Sequence, residues 1–233
     1  MITIRKSEER GHANHGWLNS YHTFSFANYY DPRHLGFRSL RVINEDRVAP
    51  GKGFGSHGHS DMEILSYVID GELSHRDNMG HQQALGPNEI QRMSAGTGIV
   101  HSEFNASKDH PVHFFQIWIE PASAGTPSSY EQIRFEPADK RGRLKLLAGP
   151  EGGDRAATIN QDAYVYVSEL AGGEKLLHPL RPGRHAWVQV VRGEVAVNGN
   201  PIDGGDAAAL TQEPEVRIEA SGPSAEVLLF DLA

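Results

Sequence analysis

Short apolar runs, separated by turn-forming residues, recur along the whole chain. They are rich in Val, Ile, Leu and aromatic residues, and Gly, Pro, Asn or Asp lie at their borders, which is typical of strands joined by turns. Examples are Leu40–Ile43, Glu63–Ile69, His113–Ile119, Tyr164–Val167, Trp187–Val191 and Glu226–Phe230. No long stretch shows helical periodicity. The pattern therefore predicts an all-β protein, built as a barrel or a sandwich.

Two breaks in composition divide this pattern. The segment Pro121–Pro127 contains small residues and prolines, and Gly149–Arg155 is polar and glycine-rich. Segments rich in Pro, Gly and polar residues commonly mark domain boundaries, where few contacts connect the two sides. The sequence predicts a first domain over residues 1–125, a linker region over 126–145 and a second domain over 146–233.

A short internal repeat supports two similar domains. Tyr67–Leu73 (YVIDGEL) resembles Gln189–Val195 (QVVRGEV), and the alignment places Gly71 on Gly193 with a glutamate after each glycine. Apolar residues flank both glycines, as expected where strands border a turn. The repeat predicts a duplicated β-barrel.

The composition restricts the chemistry. The 233 residues include no cysteine, which excludes disulfides, thiolate metal sites and a cysteine nucleophile. The formal net charge is −8, so we expect no direct nucleic-acid partner, because nucleic-acid surfaces need clustered Lys and Arg. No apolar run approaches the roughly 20 residues of a membrane span, and the N-terminus lacks the apolar region of a signal peptide. We therefore expect a cytoplasmic protein with no membrane partner.

Histidine is concentrated in the first half, where eleven of the 13 histidines lie before residue 114. His57 and His59 are two residues apart, and His101 and Glu103 repeat that spacing. On a strand, residues i and i+2 point to the same face. If the two strands are neighbours, three imidazoles and one carboxylate converge. Glu63, four residues after His59, is an alternative carboxylate ligand or a partner for an imidazole N–H.

The types of donor atom restrict which metal ions the site can bind. Imidazole with one carboxylate and no sulfur suits Fe(II), Mn, Ni, Cu or Zn. Ligands gathered on one side of an octahedral ion leave positions open for substrate or dioxygen. We assign no other histidine to metal, and expect exposed positions for His75 and His81. Solvated loop positions are also expected for the four N-terminal histidines, with the mouth of a pocket as the alternative, namely His12, His15, His22 and His34. Apolar residues near the ligands are candidates for lining a pocket or filling the core, namely Phe54, Met62, Met93 and Phe104.

These motifs resemble those of the cupin superfamily, and their details resemble the pirin family. One motif is the spacing of the two histidines from Glu63, and the other places a glycine, a histidine and an asparagine at Gly98, His101 and Asn105. The segments Met93–Glu103 (MSAGTGIVHSE) and His22–Asn28 (HTFSFAN) are similar to pirin sequences. The resemblance covers essentially the whole chain.

The resemblance implies a bicupin, two consecutive double-stranded β-helix barrels with metal only in the first. It implies ligands at His57, His59, His101 and Glu103, and favours Glu103 over Glu63. Iron(II) is the expected metal, with Cu, Ni, Mn, Co and Zn as alternatives. The internal repeat also indicates that the second barrel lacks a metal site. When the ligand positions are counted from the matching glycines of the second copy, they fall on residues that do not rebuild the ligand set, namely Pro179, Arg181, Glu219 and Ser221.

The resemblance also implies an activity. Several bacterial pirin-like proteins act as quercetin 2,3-dioxygenases, so we expect a small flavonol-like aromatic substrate and O2, with Glu103 as the catalytic base. The eukaryotic members suggest an alternative, a redox- or metal-sensing module that binds a protein partner. A third alternative is another cupin enzyme, such as an isomerase, because one fold hosts many chemistries.

Overall fold

The computed structural model describes all residues from Met1 to Ala233. It contains 20 strands and two single-turn 3-10 helices, Ser7–Glu9 and Pro137–Lys140. The prediction of an all-β protein is therefore confirmed. The strands are β1 (Ile2–Arg5), β2 (Gly11–Asn14), β3 (Leu18–His22), β4 (Leu40–Val48), β5 (Gly53–His59), β6 (Glu63–Asp70), β7 (Leu73–Asp77), β8 (Gln82–Leu85), β9 (Glu89–Ser94), β10 (Ile99–Asn105), β11 (Val112–Ile119), β12 (Ser129–Arg134), β13 (Lys145–Gly149), β14 (Ala157–Thr158), β15 (Ala163–Ala171), β16 (Lys175–Pro179), β17 (His185–Val197), β18 (Asn200–Asp203), β19 (Ala207–Thr211) and β20 (Glu215–Leu232).

The chain forms two compact units, each built from separate segments. The N-terminal barrel comprises residues 11–135 and 151–161, and the C-terminal barrel comprises residues 1–10, 136–150 and 162–233. The boundaries at 125 and 146 remain a prediction. Within these units, β1 pairs with β19 of the C-terminal barrel, and β12 pairs with β9 of the N-terminal barrel. No helix of the structure is long and apolar enough to cross a membrane.

Two antiparallel sheets form the N-terminal barrel. One has the strand order β12-β9-β6-β11-β4-β3-β2, and the other has the order β5-β10-β7-β8. Buried apolar side chains from both sheets pack against one another, among them Val48, Val68, Leu73, Leu85 and Phe114. Polar side chains are buried in the same barrel, among them Ser66, His75 and Glu103.

The C-terminal barrel is one curled sheet with the path β1-β19-β17-β20-β15-β13, joined by β16 and β18. The long strands β17 and β20 pair with each other along almost their whole length, with register shifts around Arg192 and Gly193. Its interior is filled by aliphatic side chains, including Leu170, Val190 and Leu229. Neither group of side chains that could hold a metal ion lies in this barrel.

The repeated glycines have the same structural role in both barrels. Gly71 has a φ of 84° and Gly193 a φ of 82°, a region that L-residues with a side chain rarely adopt. A Cβ on Gly71 would lie 2.8 Å from the Pro111 oxygen, and one on Gly193 would lie 2.1 Å from the Ser224 oxygen. Each glycine thus lets a bend press directly on a neighbouring backbone, which supports the duplication.

Candidate metal centre

Neighbouring strands bring the two histidine pairs together. Strands β5 and β10 pair antiparallel, with His57 directly opposite His101. The register shifts between His101 and Glu103, a β-bulge that redirects a side chain within a strand. Gly53 permits this bulge, because a Cβ there would lie 2.1 Å from the Glu103 carbonyl oxygen.

The three predicted histidines converge through their Nε2 atoms. Nε2 of His101 lies 3.1 Å from Nε2 of His57 and 3.0 Å from Nε2 of His59. Two nitrogens bound about 2.1 Å from one ion at a right angle stand about 3.0 Å apart. The Nδ1 atom of His57 lies 2.8 Å from the Gly55 carbonyl oxygen, so Nδ1 carries the proton and Nε2 keeps its lone pair. The donor set therefore fits a transition-metal ion.

Burial keeps His59 and His101 neutral. Together with the charge of His57, it lowers the pKa of His59 to about 4 and that of His101 to about 3. At neutral pH, their lone pairs are available without the loss of a proton, as metal ligation requires.

Glu103 lies beside the histidines. Its carboxylate accepts a hydrogen bond from Gln116 Nε2 at 2.7 Å and one from Ser66 Oγ at 3.4 Å. It is fully enclosed, and burial raises its pKa. Glu103 and His101 also form a group of donor atoms within 4.8 Å of one another together with His75.

Glu63, the alternative carboxylate, is engaged elsewhere. It accepts hydrogen bonds from Ser94 Oγ at 2.6 Å and from Asn160 Nδ2 at 2.8 Å. It belongs to neither group of side chains that could hold an ion. Glu103, and not Glu63, therefore shares a donor group with His101, while the assignment of Glu103 as a ligand beside His57 and His59 stays a prediction.

His75 corrects one expectation from the sequence. It was expected to be exposed at a turn, yet none of it is accessible to solvent. Its Nδ1 lies 3.4 Å from Nδ1 of His101, and its Nε2 lies 3.0 Å from Oδ2 of Asp77. The alternation of residues along β7 could have predicted this burial, because His75 lies on the same strand face as Leu73 and Asp77, and all three are buried.

These contacts fix the direction of each hydrogen bond. Because Nε2 of His101 faces the other imidazoles, its Nδ1–H donates to Nδ1 of His75, and Nε2–H of His75 donates to Asp77. Burial alone raises the pKa of Asp77, but hydrogen bonds from His75 and His81 outweigh it and lower that pKa. The ring of Tyr130 stacks on His75 at 4.8 Å and on His81 at 4.6 Å. We call His101, His75 and Asp77 the histidine relay.

A cavity of about 760 Å³ opens beside the cluster. His57, His59 and Glu103 line it, and its walls are largely aromatic, formed by Trp17, Phe26, Tyr29, Phe54 and Trp118. Of the four predicted apolar candidates, Phe54 lines the cavity, Met62 and Met93 belong to a separate apolar cluster, and Phe104 is 41% exposed.

His22 is a second correction. The sequence predicts solvated positions, and His12 and His15 are indeed exposed, although both border the cavity. His22, on β3, also lines the cavity but is only 5% exposed. Pairing of β3 with β4, between sequence positions more than 20 apart, places it there. Of the remaining histidines in that segment, His34 does not line the cavity.

The fold and the site together define the class of protein. Two antiparallel β-barrels follow one another in a single chain, and metal-type donors lie on neighbouring strands of the first. This is the two-domain, all-β architecture of a cupin protein.

Comparison with known proteins gives the family. The pirin family model matches residues 3–119, and the model described as a quercetinase C-terminal cupin domain matches residues 146–232. A protein of Escherichia coli K12 named quercetin 2,3-dioxygenase is 47% identical over 232 residues, which cover 100% of this chain and 99% of that protein. A pirin-like protein of Caulobacter vibrioides is 39% identical over the full length of both chains. The chain belongs to the pirin family, as the sequence motifs predicted.

Solved structures agree. The crystal structure of YhhW from Escherichia coli has a TM-score of 0.96 and 46% identity, with coverage of 100% of this chain and 98% of that one. The structure of the bacterial pirin YhhW in complex with nickel(II) has a TM-score of 0.94 and 46% identity, with coverage of 100% and 99%.

Proposed function

We propose that this protein is a metal-dependent dioxygenase that cleaves a quercetin-like flavonol with O2. The observation that carries the proposal is the convergence of three imidazole nitrogens beside a cavity with aromatic walls. The name of the Escherichia coli relative supports the substrate class. The proposed ligands are His57, His59, His101 and Glu103.

The donor set suits a divalent transition ion, and we propose Fe(II), with Cu, Ni, Mn, Co and Zn as alternatives. The nickel(II) complex of YhhW supports a divalent ion in the family. Such an ion, when bound, supplies a positive charge that lowers the pKa of a hydroxyl group attached to it.

The residues of this chain would perform the remaining work. Glu103 accepts the proton of the substrate hydroxyl, and Gln116 orients its carboxylate through the 2.7 Å hydrogen bond. Because burial raises the pKa of Glu103, the carboxyl group can hold that proton. The rings of Phe26 and Trp118 pack against a planar substrate and exclude water.

The test is aerobic turnover of quercetin by protein loaded separately with Fe, Cu, Ni or Mn. We expect loss of flavonol absorbance, with one O2 consumed and one CO released for each flavonol. His57→Ala should abolish both metal binding and turnover, whereas His110→Ala, at an exposed position, should leave both unchanged. Metal binding with no flavonol loss would refute the enzyme proposal and favour the metal-sensing module.

A further inference from the structure

Two polar side chains outside the metal cluster lie on the inner face of the N-terminal barrel. Asn44 and Asp46 are two residues apart on β4, and both line the cavity. They are only 2% and 3% exposed. Val42 and Val48 occupy the same face of the strand and are buried. Two polar groups thus stand where a strand of this kind ordinarily presents apolar side chains.

One oxygen of each side chain has no hydrogen-bond partner in the protein. These atoms are Oδ1 of Asn44 and Oδ1 of Asp46. Ser20 hydrogen-bonds to the Asp46 carboxyl group, and Nε2 of His22 lies 2.8 Å from Ser20 Oγ. Ser20 and His22 therefore hold Asp46 from the protein side, and both Asn44 and Asp46 border the cavity. Buried polar atoms without partners cost free energy, and they commonly mark a functional site.

The chemistry of the two atoms defines the group that would satisfy them. Amide and carboxylate oxygens accept hydrogen bonds, so the complementary ligand carries donors. The surrounding walls are aromatic, which favours a planar apolar body. Burial, together with the charges of Glu103 and Glu45, raises the pKa of Asp46 to about 7. The carboxylate form is therefore costly until a donor reaches it.

We propose that Asn44 and Asp46 form a hydroxyl-recognition pair, which selects planar aromatic ligands with free hydroxyl groups besides the one presented to the metal cluster. This inference builds on the proposed function and narrows its substrate class to polyhydroxylated aromatics. It predicts that replacing those hydroxyls with methoxy groups weakens binding, because a methoxy group offers no donor and leaves both oxygens unpaired.

The test measures binding without turnover, under anaerobic conditions, by quenching of the tryptophans that line the cavity, Trp17 and Trp118. One pair of probes is quercetin and galangin, a flavonol without B-ring hydroxyls, and the other is naphthalene-2,3-diol and its monomethyl ether, which keeps one hydroxyl for the metal cluster. Wild type should bind quercetin and the diol about tenfold more tightly than galangin and the ether, the value of one lost hydrogen bond. Asp46→Leu and Asn44→Leu should each reduce this preference to about twofold or less.

Two further variants keep the test interpretable. Asp46→Asn retains an acceptor oxygen and should keep most of the preference, and Asp70→Asn, at an exposed carboxylate, should keep all of it. Undiminished preference in both Leu variants, or no binding of any hydroxylated probe, would overturn the recognition pair. A preference that depends on Asp46, without aerobic loss of quercetin, would leave the pair standing and refute the dioxygenase.

Discussion

The histidine relay makes a quantitative prediction about metal affinity. His75→Phe preserves an aromatic ring against Tyr130 but removes both the acceptor for His101 Nδ1–H and the donor to Asp77. The Nδ1–H group of a 2% exposed histidine is then left without its partner. Such a loss costs about 1–3 kcal/mol for a buried donor. The penalty falls on the tautomer that presents Nε2 to the metal.

The expected result is a weaker metal site in a folded protein. A cost of that size corresponds to a roughly 10- to 100-fold loss of affinity, the range typical when a partner of a ligating histidine is removed. The assay is Ni(II) and Co(II) competition against a chromophoric chelator, with the Co(II) absorption spectrum as a second readout, since a change in ligand orientation shifts the spectrum. Thermal unfolding of the metal-free protein separates this effect from lost stability.

The control is His81→Ala, because His81 also bonds Asp77, at 2.9 Å, but belongs to neither group of metal-type donors. We expect its metal affinity to stay within about threefold of wild type, well below the range for the relay. His75→Gln, which can restore one hydrogen bond, should recover part of the affinity. Wild-type affinity and an unchanged Co(II) spectrum in His75→Phe would refute the relay.

Three other predictions follow from single contacts. Gly53→Ala should weaken metal binding and lower stability by about 1–3 kcal/mol, measured by urea unfolding, because its Cβ would meet the Glu103 backbone at 2.1 Å. Asp46→Asn should remove a pH dependence of stability. The pKa of Asp46 is about 7 in the folded protein, against an ordinary value of 3.8. Wild type therefore loses stability as the pH rises from about 4 to 7, by at most about 4 kcal/mol. Denaturation of the metal-free protein at pH 5 and pH 8 measures this loss. Glu103→Gln should lose quercetin turnover, whereas Glu63→Gln, measured in the same absorbance assay, should retain it; the reverse would exchange their roles.

Local spacing was enough to predict the metal-type histidines. The i, i+2 rule applies within one strand, and both His57 with His59 and His101 with Glu103 lie on single strands. The preference for Glu103 over Glu63 depends on a family resemblance, because a local pattern does not show which strands pair. The bulge after His101 and the Ser94 contact of Glu63 arise from residues more than 30 positions away.

The cavity was harder to predict because its polar wall resembles a solvated segment. Polar residues such as His22 are exposed in most proteins, and only the pairing of β3 with β4 buries this one. The same applies to His75, whose sequence neighbours include turn-forming residues. Pairing of Ile2–Arg5 with β19 joins positions about 200 residues apart, which no local pattern indicates.

The two barrels differ in how completely their buried polar groups are paired. The C-terminal barrel encloses a core of aliphatic side chains, and its buried charged groups are paired with one another, as Lys140 is with Glu226 and Arg184 with Asp231. The N-terminal barrel instead buries Glu103, His75 and Asp77, together with the incompletely paired Asn44 and Asp46. Each buried polar group needs a partner or lowers stability. Because Asn44 and Asp46 each keep an oxygen without a partner, their place in this barrel points to a role in binding and not in folding.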